Sequence, residues 1–290
     1  MTVKIDFFVP GFSKCGTTTL FEVLNAHPEI FIPDAKEPNF FGSEIDAERQ
    51  TWYESLFQPA KPNQTIGECS TFYSSIYAEK AASKEMFANN PQAKLIFIAR
   101  DPVDRIESSF REMHNSAPKF GLNTPFELEN ALLDMPQLLA DTSFSSRLNV
   151  HLEQFGRKNV LLIFMEDLKI DVAAVATRCY QFLGLQPYDF IADRLPHKNK
   201  GEDKLYDSRL LRWSRCNSVV GPLLGKIDID RQDRIFKRIG LRRPFTQKVV
   251  WSDKAKKIAQ ECLKEDIEKF LHYAGEQERY WPKFQALMNE

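Results

Sequence analysis

The sequence predicts an α/β fold, a three-layer domain in which helices flank a central, mainly parallel sheet. Two observations predict it. Short apolar runs alternate with helical patterns through about the first 200 residues, and a glycine-containing loop directly follows the first of these runs. We expect residues 1–290 to form a single domain, with an α/β nucleotide-binding core over about 1–200 and a mostly helical C-terminal part over about 202–290.

The predicted elements follow one another in the order that parallel βαβ units require. Strands are expected at Ile5–Val9, Glu29–Ile32, Thr65–Gly67, Lys94–Ile98 and Val160–Phe164. Helices are expected at Thr18–Ala26, Ala47–Phe57, Ser74–Phe87, Val103–Met113, Ser145–Phe155, Val172–Leu183, Lys254–Tyr273 and Glu278–Met288. Since right-handed crossovers join parallel strands, a ligand is expected at the carboxyl ends of the strands.

The loop after the first predicted strand has the spacing of a phosphate-binding loop. Gly11 and Gly16 are placed as in a Walker A motif, but Thr17 follows the second glycine and the lysine, Lys14, lies inside the loop. This displacement indicates an anionic group shorter than a triphosphate. Pro10 and Gly11 are expected to end the strand, and the threonines after Gly16 to cap a helix whose N-terminal N–H groups bind the anion. An ordinary strand–turn–helix is the alternative.

A second candidate anion site follows the fourth predicted strand. Arg100 falls at the carboxyl end of that strand, and Pro102 suits the first turn of the next helix. Arg105 and Ser108 then share one face of this helix. A guanidinium at a strand end and a hydroxyl on the next helix can hold a phosphate through charge-assisted bonds. The alternative is that Arg100 and Asp101 pair with neighbouring residues.

Together the two segments resemble the sulfotransferase family that uses 3′-phosphoadenosine 5′-phosphosulfate (PAPS). The resemblance covers about Ile5–Gly201 and is greatest to the branch that acts on glycans, such as the heparan sulfate sulfotransferases. It implies a P-loop-like fold in which Arg100 and Ser108 bind the 3′-phosphate. The HKNKG stretch is similar to the family loop that closes over the nucleotide, which implies donor contacts from Lys198, Lys200 and Gly201. The 5′-phosphosulfate is implied to lie on the loop residues Ser13, Lys14, Cys15, Gly16, Thr17 and Thr18.

Two further segments resemble family blocks, the KEPNFF segment (Lys36–Phe41) and the GECSTFY segment (Gly67–Tyr73). The first implies Glu37 as the base that takes the proton of the acceptor hydroxyl. Pro38 is expected to favour an extended backbone there. Glu68, in the second segment, is the rival base, or a residue that orients Lys14 or the acceptor.

The GECSTFY segment also departs from the family pattern. Cys69 and Thr71 replace its usual lysine and proline. In the glycan branch that lysine lies near the donor and the acceptor. Cys15 replaces a frequent glycine of the phosphate loop, and we expect it to act through its backbone N–H while its thiol is packed away.

Sulfuryl transfer depends on positioning and charge stabilisation, by analogy with phosphoryl transfer. Loop N–H groups with Thr17 and Thr18 would cradle the leaving phosphate, and Lys14 would stabilise the charge that develops on it. The product would be 3′-phosphoadenosine 5′-phosphate (PAP). A phosphate is a good leaving group, so no metal is required, and the five widely spaced histidines suggest no metal-ligand cluster.

The acceptor is expected to present a hydroxyl group, most consistently on a carbohydrate or glycoconjugate. Phe40, Phe41, Phe72 and Tyr73 are candidate stacking surfaces for it, with core packing as the alternative. Other functions left open are sulfuryl transfer to a small alcohol, phenol or lipid, a P-loop nucleotide kinase and a non-catalytic nucleotide-binding module. No acidic residue ends the Lys94–Ile98 strand in a Walker B position, which disfavours the kinase.

Composition gives no sign of nucleic-acid binding, because the net charge is −1 over 290 residues. Residues 198–257 carry seventeen Lys and Arg against seven Asp and Glu, a local field that attracts anions. Met1–Asp6 does not resemble a signal peptide, and no run reaches the ~18 apolar residues of a membrane span. Five scattered cysteines form no disulfide framework. We therefore expect a cytoplasmic, bacterial protein without a membrane span.

Overall fold

A five-stranded parallel sheet forms the centre of the protein. The computed structural model describes residues 3–116, 123–188, 204–217, 219–275 and 281–289. The strand order is β2-β3-β1-β4-β5, with all four neighbouring pairs parallel. The strands are β1 (Phe7–Gly11), β2 (Ile30–Phe31), β3 (Thr65–Cys69), β4 (Lys94–Ala99) and β5 (Val160–Phe164). The predicted α/β class, with a parallel central sheet and a mostly helical C-terminal part, is confirmed.

Helices connect these strands and make up most of the C-terminal part. The first nine are α1 (Thr17–Asn25), α2 (Ala47–Ser55), α3 (Glu79–Asn89), α4 (Pro102–Ser116), α5 (Leu128–Asp134), α6 (Gln137–Ala140), α7 (Phe144–Phe155), α8 (Met165–Ile170) and α9 (Val172–Leu183). The later ones are α10 (Arg209–Cys216), α11 (Val220–Gly225), α12 (Ile229–Arg238), α13 (Asp253–Ala274) and α14 (Pro282–Asn289). An antiparallel ribbon of β6 (Leu205–Asp207) and β7 (Arg242–Pro244) was not predicted, because three helices separate its short strands and no hairpin signal joins them.

The strand β1 runs further than the sequence predicts. Pro10 and Gly11 belong to it, and the Phe12 N–H still donates to the Ile98 carbonyl at 2.9 Å. The pairing with β4 shifts register between Phe8 and Gly11, which accommodates a proline that has no N–H to donate. The expectation that Pro10 and Gly11 end the strand is therefore wrong.

The chain divides into two compact units, each assembled from separate stretches of sequence. The first comprises Met1–Pro102, Leu139–Pro196 and Cys262–Glu290, and the second comprises Val103–Leu138 and His197–Glu261. The single domain with a core that ends near residue 200 stays a prediction.

In the first unit, aromatic side chains join the sheet to the last helices. Phe12 packs on Phe97, Phe144 and Phe270, with ring centroids 5.1, 4.5 and 6.0 Å apart. Trp281 is fully buried and stacks on Phe270 at an interplanar angle of 10°. These contacts place the C-terminal residues of the chain in the core beneath the phosphate loop.

Asp101 connects the carboxyl end of β4 to the start of α14. Its Oδ2 accepts hydrogen bonds from the N–H groups of Lys283 and Phe284, at 3.0 and 3.3 Å. Carboxylates are favoured at a helix N-terminus because the N–H groups there have no partner within the helix. Asp101, the residue after Arg100, therefore has a structural role, which is to cap α14.

His151 on α7 is fully buried beside the first unit's sheet. Its Nε2 lies 3.0 Å from the Tyr73 carbonyl, and its ring packs edge-on against Phe97. Burial lowers the pKa of His151 to about 4, and the hydrogen bond to Tyr73 only partly opposes this.

The buried imidazole should make stability fall in mild acid. Between pH 6.5 and 4 the imidazole is protonated in the unfolded chain but stays neutral in the folded protein, so the contribution of His151 to the free energy of unfolding should fall by roughly 3 kcal/mol. Urea denaturation at pH 7 and pH 4.5 measures this drop. His151→Gln has no titrating ring, so its drop over the same interval should be smaller; equal drops in the two proteins would contradict the assignment.

Candidate active site

A buried carboxylate lies at the end of β3, where the sheet meets the KEPNFF segment. The Glu68 side chain has no exposed surface. Its Oε1 accepts hydrogen bonds from Ser70 and Tyr73, at 2.6 and 2.7 Å, and its Oε2 accepts one from the Tyr53 hydroxyl. Burial raises the pKa of Glu68, while the three hydroxyl donors lower it by stabilising the carboxylate. An enclosed acceptor of this kind disfavours Glu68 as the base and leaves Glu37 as the better candidate.

Two of the three hydroxyls that bind Glu68 also hold the KEPNFF segment. Tyr73 accepts hydrogen bonds from the N–H groups of Phe40 and Phe41, at 2.9 and 3.3 Å. Ser70 accepts one from the Asn39 N–H at 3.0 Å. Each hydroxyl thus donates to the carboxylate and accepts from the segment's backbone, so one buried charge orders a stretch of chain some thirty residues away in sequence.

Glu37 is held by its backbone and by its side chain. Its N–H donates to the Cys69 carbonyl at 3.1 Å, and its Oε2 accepts a hydrogen bond from the Thr71 hydroxyl at 3.1 Å. Its φ is +59°, so the extended backbone expected from Pro38 is wrong. The left-handed conformation costs about 1–2 kcal/mol for a residue with a Cβ, and these hydrogen bonds offset that cost.

The phosphate loop leads into α1 through a left-handed glycine. Gly16 is the N-cap of α1 with φ of +102°, and a Cβ on it would lie 2.3 Å from Met165 Sδ. The expectation that a threonine caps the helix is wrong, because Thr17 is its first residue and is 6% exposed. With no side chain on the cap residue, the first-turn N–H groups are open to an anion.

The remaining loop residues lie between the end of β1 and the first turn of α1. Ser13 and Lys14 are half-buried in the turn that follows β1, and Lys14 has φ of +65°. The Cys15 thiol is fully buried, 3.6 Å from the Ser13 carbonyl, in line with a contribution from its backbone alone. Thr18 is half-buried in the first turn of α1.

Lys36 is a residue that the sequence analysis did not assign to the site. Its Nζ donates a hydrogen bond to Thr18 Oγ1 at 2.6 Å, which joins the KEPNFF segment to the phosphate loop. The signal that could have found it is its place directly before the predicted base. That contact brings Glu37 to the same edge of the sheet as Lys14.

The predicted 3′-phosphate residues lie on two consecutive elements. Arg100 is half-buried just beyond β4, the strand next to β1, so it lies at the same edge of the sheet as the loop. Ser108 is half-buried on α4, in the second unit. On the same helix, Arg105 is 2% exposed and donates to the Leu138 carbonyl at 3.0 Å, a structural contact. Joint action of Arg100 and Ser108 stays a prediction.

Most of the predicted acceptor surface is packed in the core. Phe40, Phe41 and Tyr73 are 2%, 0% and 0% exposed, and Phe40 stacks on Tyr53 with ring centroids 3.9 Å apart. These three are corrected to core residues, because no ring face is left for a sugar. Phe72 is half-buried and stays a candidate. The predicted donor residues Lys198, Lys200 and Gly201 lie outside the described residues.

Two of the surface pockets that combine polar and aromatic side chains lie one in each unit. One, of about 540 Å³ in the first unit, begins next to Glu37 and is lined by Pro38, Glu44, Asp46, Glu48, Arg49 and Trp52. The Trp52 side chain is 43% exposed there. The other, of about 410 Å³ in the second unit, is lined by Phe126, Tyr206, Ser208, Arg209, Arg243, Phe245 and Gln247.

In the part of the chain that the structure describes, no group of three His, Cys, Asp or Glu side chains is arranged to hold a metal ion. None of the helices in those ranges combines the length and the apolar composition that crossing a bilayer needs.

A glycine loop that follows the first strand of a parallel sheet and leads into a helix gives this domain a P-loop-like architecture. The chain belongs to the sulfotransferase domain family, whose model matches residues 4–204. The resemblance found in the sequence is thereby confirmed.

The similar curated proteins are carbohydrate sulfotransferases. Human (Homo sapiens) heparan sulfate glucosamine 3-O-sulfotransferase 3B1 is 28% identical over 184 residues, which covers 61% of this chain and 45% of that protein. Carbohydrate sulfotransferase 15 of Mus musculus is 28% identical over 245 residues, which covers 62% and 44%. The chain thus spans less than half the length of these two relatives.

Two solved structures share the fold. A sulfotransferase from Alicyclobacillus acidocaldarius matches with a TM-score of 0.54 and 22% identity, over 80% of this chain and 100% of that one. The sulfotransferase domain from the curacin biosynthetic pathway matches with a TM-score of 0.50 and 15% identity, over 90% and 98%. At these identities the likeness supports the fold alone.

Replacing Glu68 with alanine should destabilise the protein strongly. Three buried hydroxyls would lose their acceptor, and at about 1–3 kcal/mol for each unsatisfied group the free energy of unfolding should fall by at least ~3 kcal/mol. Urea denaturation at pH 7 measures this, with Glu153→Ala on the exposed side of α7 as the control. A loss below about 1 kcal/mol would show that the network does not hold this part of the fold.

Proposed function

We propose that this protein transfers a sulfuryl group from PAPS to an acceptor hydroxyl by in-line displacement. Family membership and the open N-terminus of α1 support an anionic donor. The observation that carries the proposal is the 2.6 Å hydrogen bond between Lys36 and Thr18. It ties the segment of the candidate base to the loop of the donor, so that both halves of a transfer reaction meet at one edge of the sheet.

Each group then has one task. Glu37 takes the proton from the acceptor hydroxyl, whose oxygen forms a bond to sulfur. As the bond from sulfur to the 5′-phosphate oxygen breaks, Lys14 and the first-turn N–H groups stabilise the charge left on that phosphate. The hydrogen bond from Thr71 fixes the carboxylate of Glu37 before the acceptor arrives, which reduces the entropy lost in reaching the transition state.

The donor's 3′-phosphate is assigned to Arg100 and Ser108, on the sequence pattern that they share with the family. A planar guanidinium binds a phosphate through two parallel N–H···O bonds. Lys198, Lys200 and Gly201 are assigned to the donor on the same pattern. PAP is the product that leaves this site.

The acceptor is proposed to be a glycan. The names of the similar curated proteins favour it, and the pocket beside Pro38 offers an exposed indole face among polar side chains. Three carboxylates line that pocket against one guanidinium, which favours a sugar of low negative charge. Sulfuryl transfer from labelled PAPS to neutral, amino and sulfated oligosaccharides tests this, beside a phenol, an alcohol and a lipid; preference for one of the last three would overturn the glycan assignment.

Donor specificity should appear as selective binding of a 3′-phosphate. In calorimetric titrations without magnesium, PAP should bind much more tightly than ADP or ATP. Arg100→Ala should weaken the binding of PAP about 10- to 100-fold, since a hydrogen bond to a charged group contributes about 1.5–3 kcal/mol. The affinity for ADP, which has no 3′-phosphate, should stay unchanged. A preference for ATP would favour a kinase, and absence of binding would favour a protein that uses another donor.

Removal of the proposed base should lower turnover but leave the binding of the donor unchanged. Glu37→Gln keeps the shape of the side chain but cannot accept the proton, so kcat should fall about 10²- to 10⁴-fold. Turnover with the best acceptor of the panel and PAP affinity are measured together, with Glu29→Gln on the surface as the control. Unchanged turnover of Glu37→Gln would exclude it as the base.

A further inference from the structure

Lys36 brings a positive charge to the phosphate loop from a different part of the chain. Its Nζ lies 2.6 Å from Thr18 Oγ1, in the first turn of α1. The Thr18 hydroxyl is the one hydrogen-bond partner of this ammonium in the described residues, and within them Lys36 forms no ion pair. An ammonium has three N–H donors, so two remain after Thr18 is bound.

Two of the positions where the chain departs from the family pattern, Cys69 and Thr71, are hydrogen-bonded to Glu37, the residue after Lys36. The Thr71 hydroxyl binds the carboxylate of Glu37, and the Cys69 carbonyl binds the N–H of Glu37. Burial raises the pKa of the Cys69 thiol, Glu68 raises it further and Lys36 lowers it. The backbone of residue 69 is thus hydrogen-bonded to the residue that follows Lys36, and its side chain is a thiol instead of the family's lysine.

We infer that Lys36 is a second cation of the donor site, which binds an oxygen of the 5′-phosphosulfate beside Thr18. This inference rests on the proposed function, because it names a further contact to the same donor. Lys36 supplies from the KEPNFF segment a positive charge that residue 69 cannot supply here. Lys14 and Lys36 then approach the anion from the loop and from the base's own segment.

The charge balance of the site supports this assignment. A half-buried ammonium whose hydrogen-bond partner is a neutral hydroxyl gains little from that bond alone, whereas an anion between it and the helix N-terminus satisfies both. The Thr18 hydroxyl accepts from Lys36 and so keeps its own hydrogen for a donor oxygen. The position next to Glu37 also keeps this cation close to the bond that is made.

The first test compares Lys36→Met with Lys84→Met, an exposed lysine on α3 that serves as the matched control. PAP binding is titrated by calorimetry from 50 to 500 mM NaCl. Lys36→Met should bind PAP about 10- to 100-fold more weakly than the wild type at low salt. Its affinity for PAP should also depend less on the salt concentration than that of the wild type. Lys84→Met should match the wild type in both respects.

A structural role for Lys36 predicts a different pattern. Loss of a packing contact to Thr18 would lower the melting temperature of Lys36→Met but would leave the salt dependence of PAP binding unchanged. Wild-type affinity, or a reduced affinity with an unchanged salt slope, overturns the inference.

The second test moves the charge. Cys69→Lys in the Lys36→Met background places an ammonium at residue 69, and it should recover at least a tenth of wild-type PAP affinity and of kcat/KM with PAPS. No recovery in a folded double variant overturns the inference that the two positions serve one anion. Cys69 is 3% exposed, so the fold of the double variant is checked first. For an unfolded double variant Lys36→Arg decides: it should keep the wild-type salt slope, and a slope as shallow as that of Lys36→Met overturns the inference.

The two proposals fail in different ways. If the wild-type protein does not bind PAP, the proposal that PAPS is the donor is wrong, and the inference about Lys36 is excluded with it. If wild-type protein and Lys84→Met bind PAP tightly and Lys36→Met binds it equally well, the donor stands and the second cation alone is excluded.

Discussion

The candidate site depends on one buried charge, the carboxylate of Glu68. In a medium of low dielectric constant an isolated carboxylate is unfavourable, and here three hydroxyl donors make its burial tolerable. Two of these donors, Ser70 and Tyr73, also accept hydrogen bonds from the backbone of the KEPNFF segment. That segment has no strand or helix of its own, so its shape comes from this network. The positions of Lys36 and Glu37, the proposed cation and the proposed base, therefore depend on a carboxylate that is enclosed in the core.

This support explains why strained backbone is tolerated at the site. Glu37, Asn39 and Lys14 all have positive φ, a conformation that side chains with a Cβ avoid. Two of the three lie in the KEPNFF segment, where the network of Glu68 offsets the cost. Strain of this kind is stored where side-chain direction matters more than local stability. A relaxed backbone at Glu37 would turn its carboxylate away from Thr71 and from the loop.

Features set by local sequence were predictable, and features set by tertiary contact were not. The spacing of Gly11 and Gly16 and the apolar run before Arg100 are local, so the loop, the strand and the sheet class follow from them. The hydrogen bond of Lys36 to Thr18 joins residues eighteen apart and depends on how the end of β3 holds the KEPNFF segment. The sequence around Phe40, Phe41, Phe72 and Tyr73 does not distinguish an aromatic ring in the core from one that lines a cleft. For this reason Phe40, Phe41 and Tyr73 were expected at the acceptor surface and are found in the core.

A phosphosulfate site needs a cation, but the cation can come from more than one position in the sequence. A phosphosulfate needs positive charge near the oxygens that gain charge, and the Coulomb energy depends on distance, not on which residue supplies the ammonium. A lysine side chain is long enough to reach one point from either of two neighbouring backbone positions. In this fold, residue 69 at the end of β3 and residue 36 in the segment that β3 holds are such positions, joined by the hydrogen bond from Glu37 to Cys69. The thiol at residue 69 is therefore compatible with a complete donor site, provided that Lys36 serves the anion.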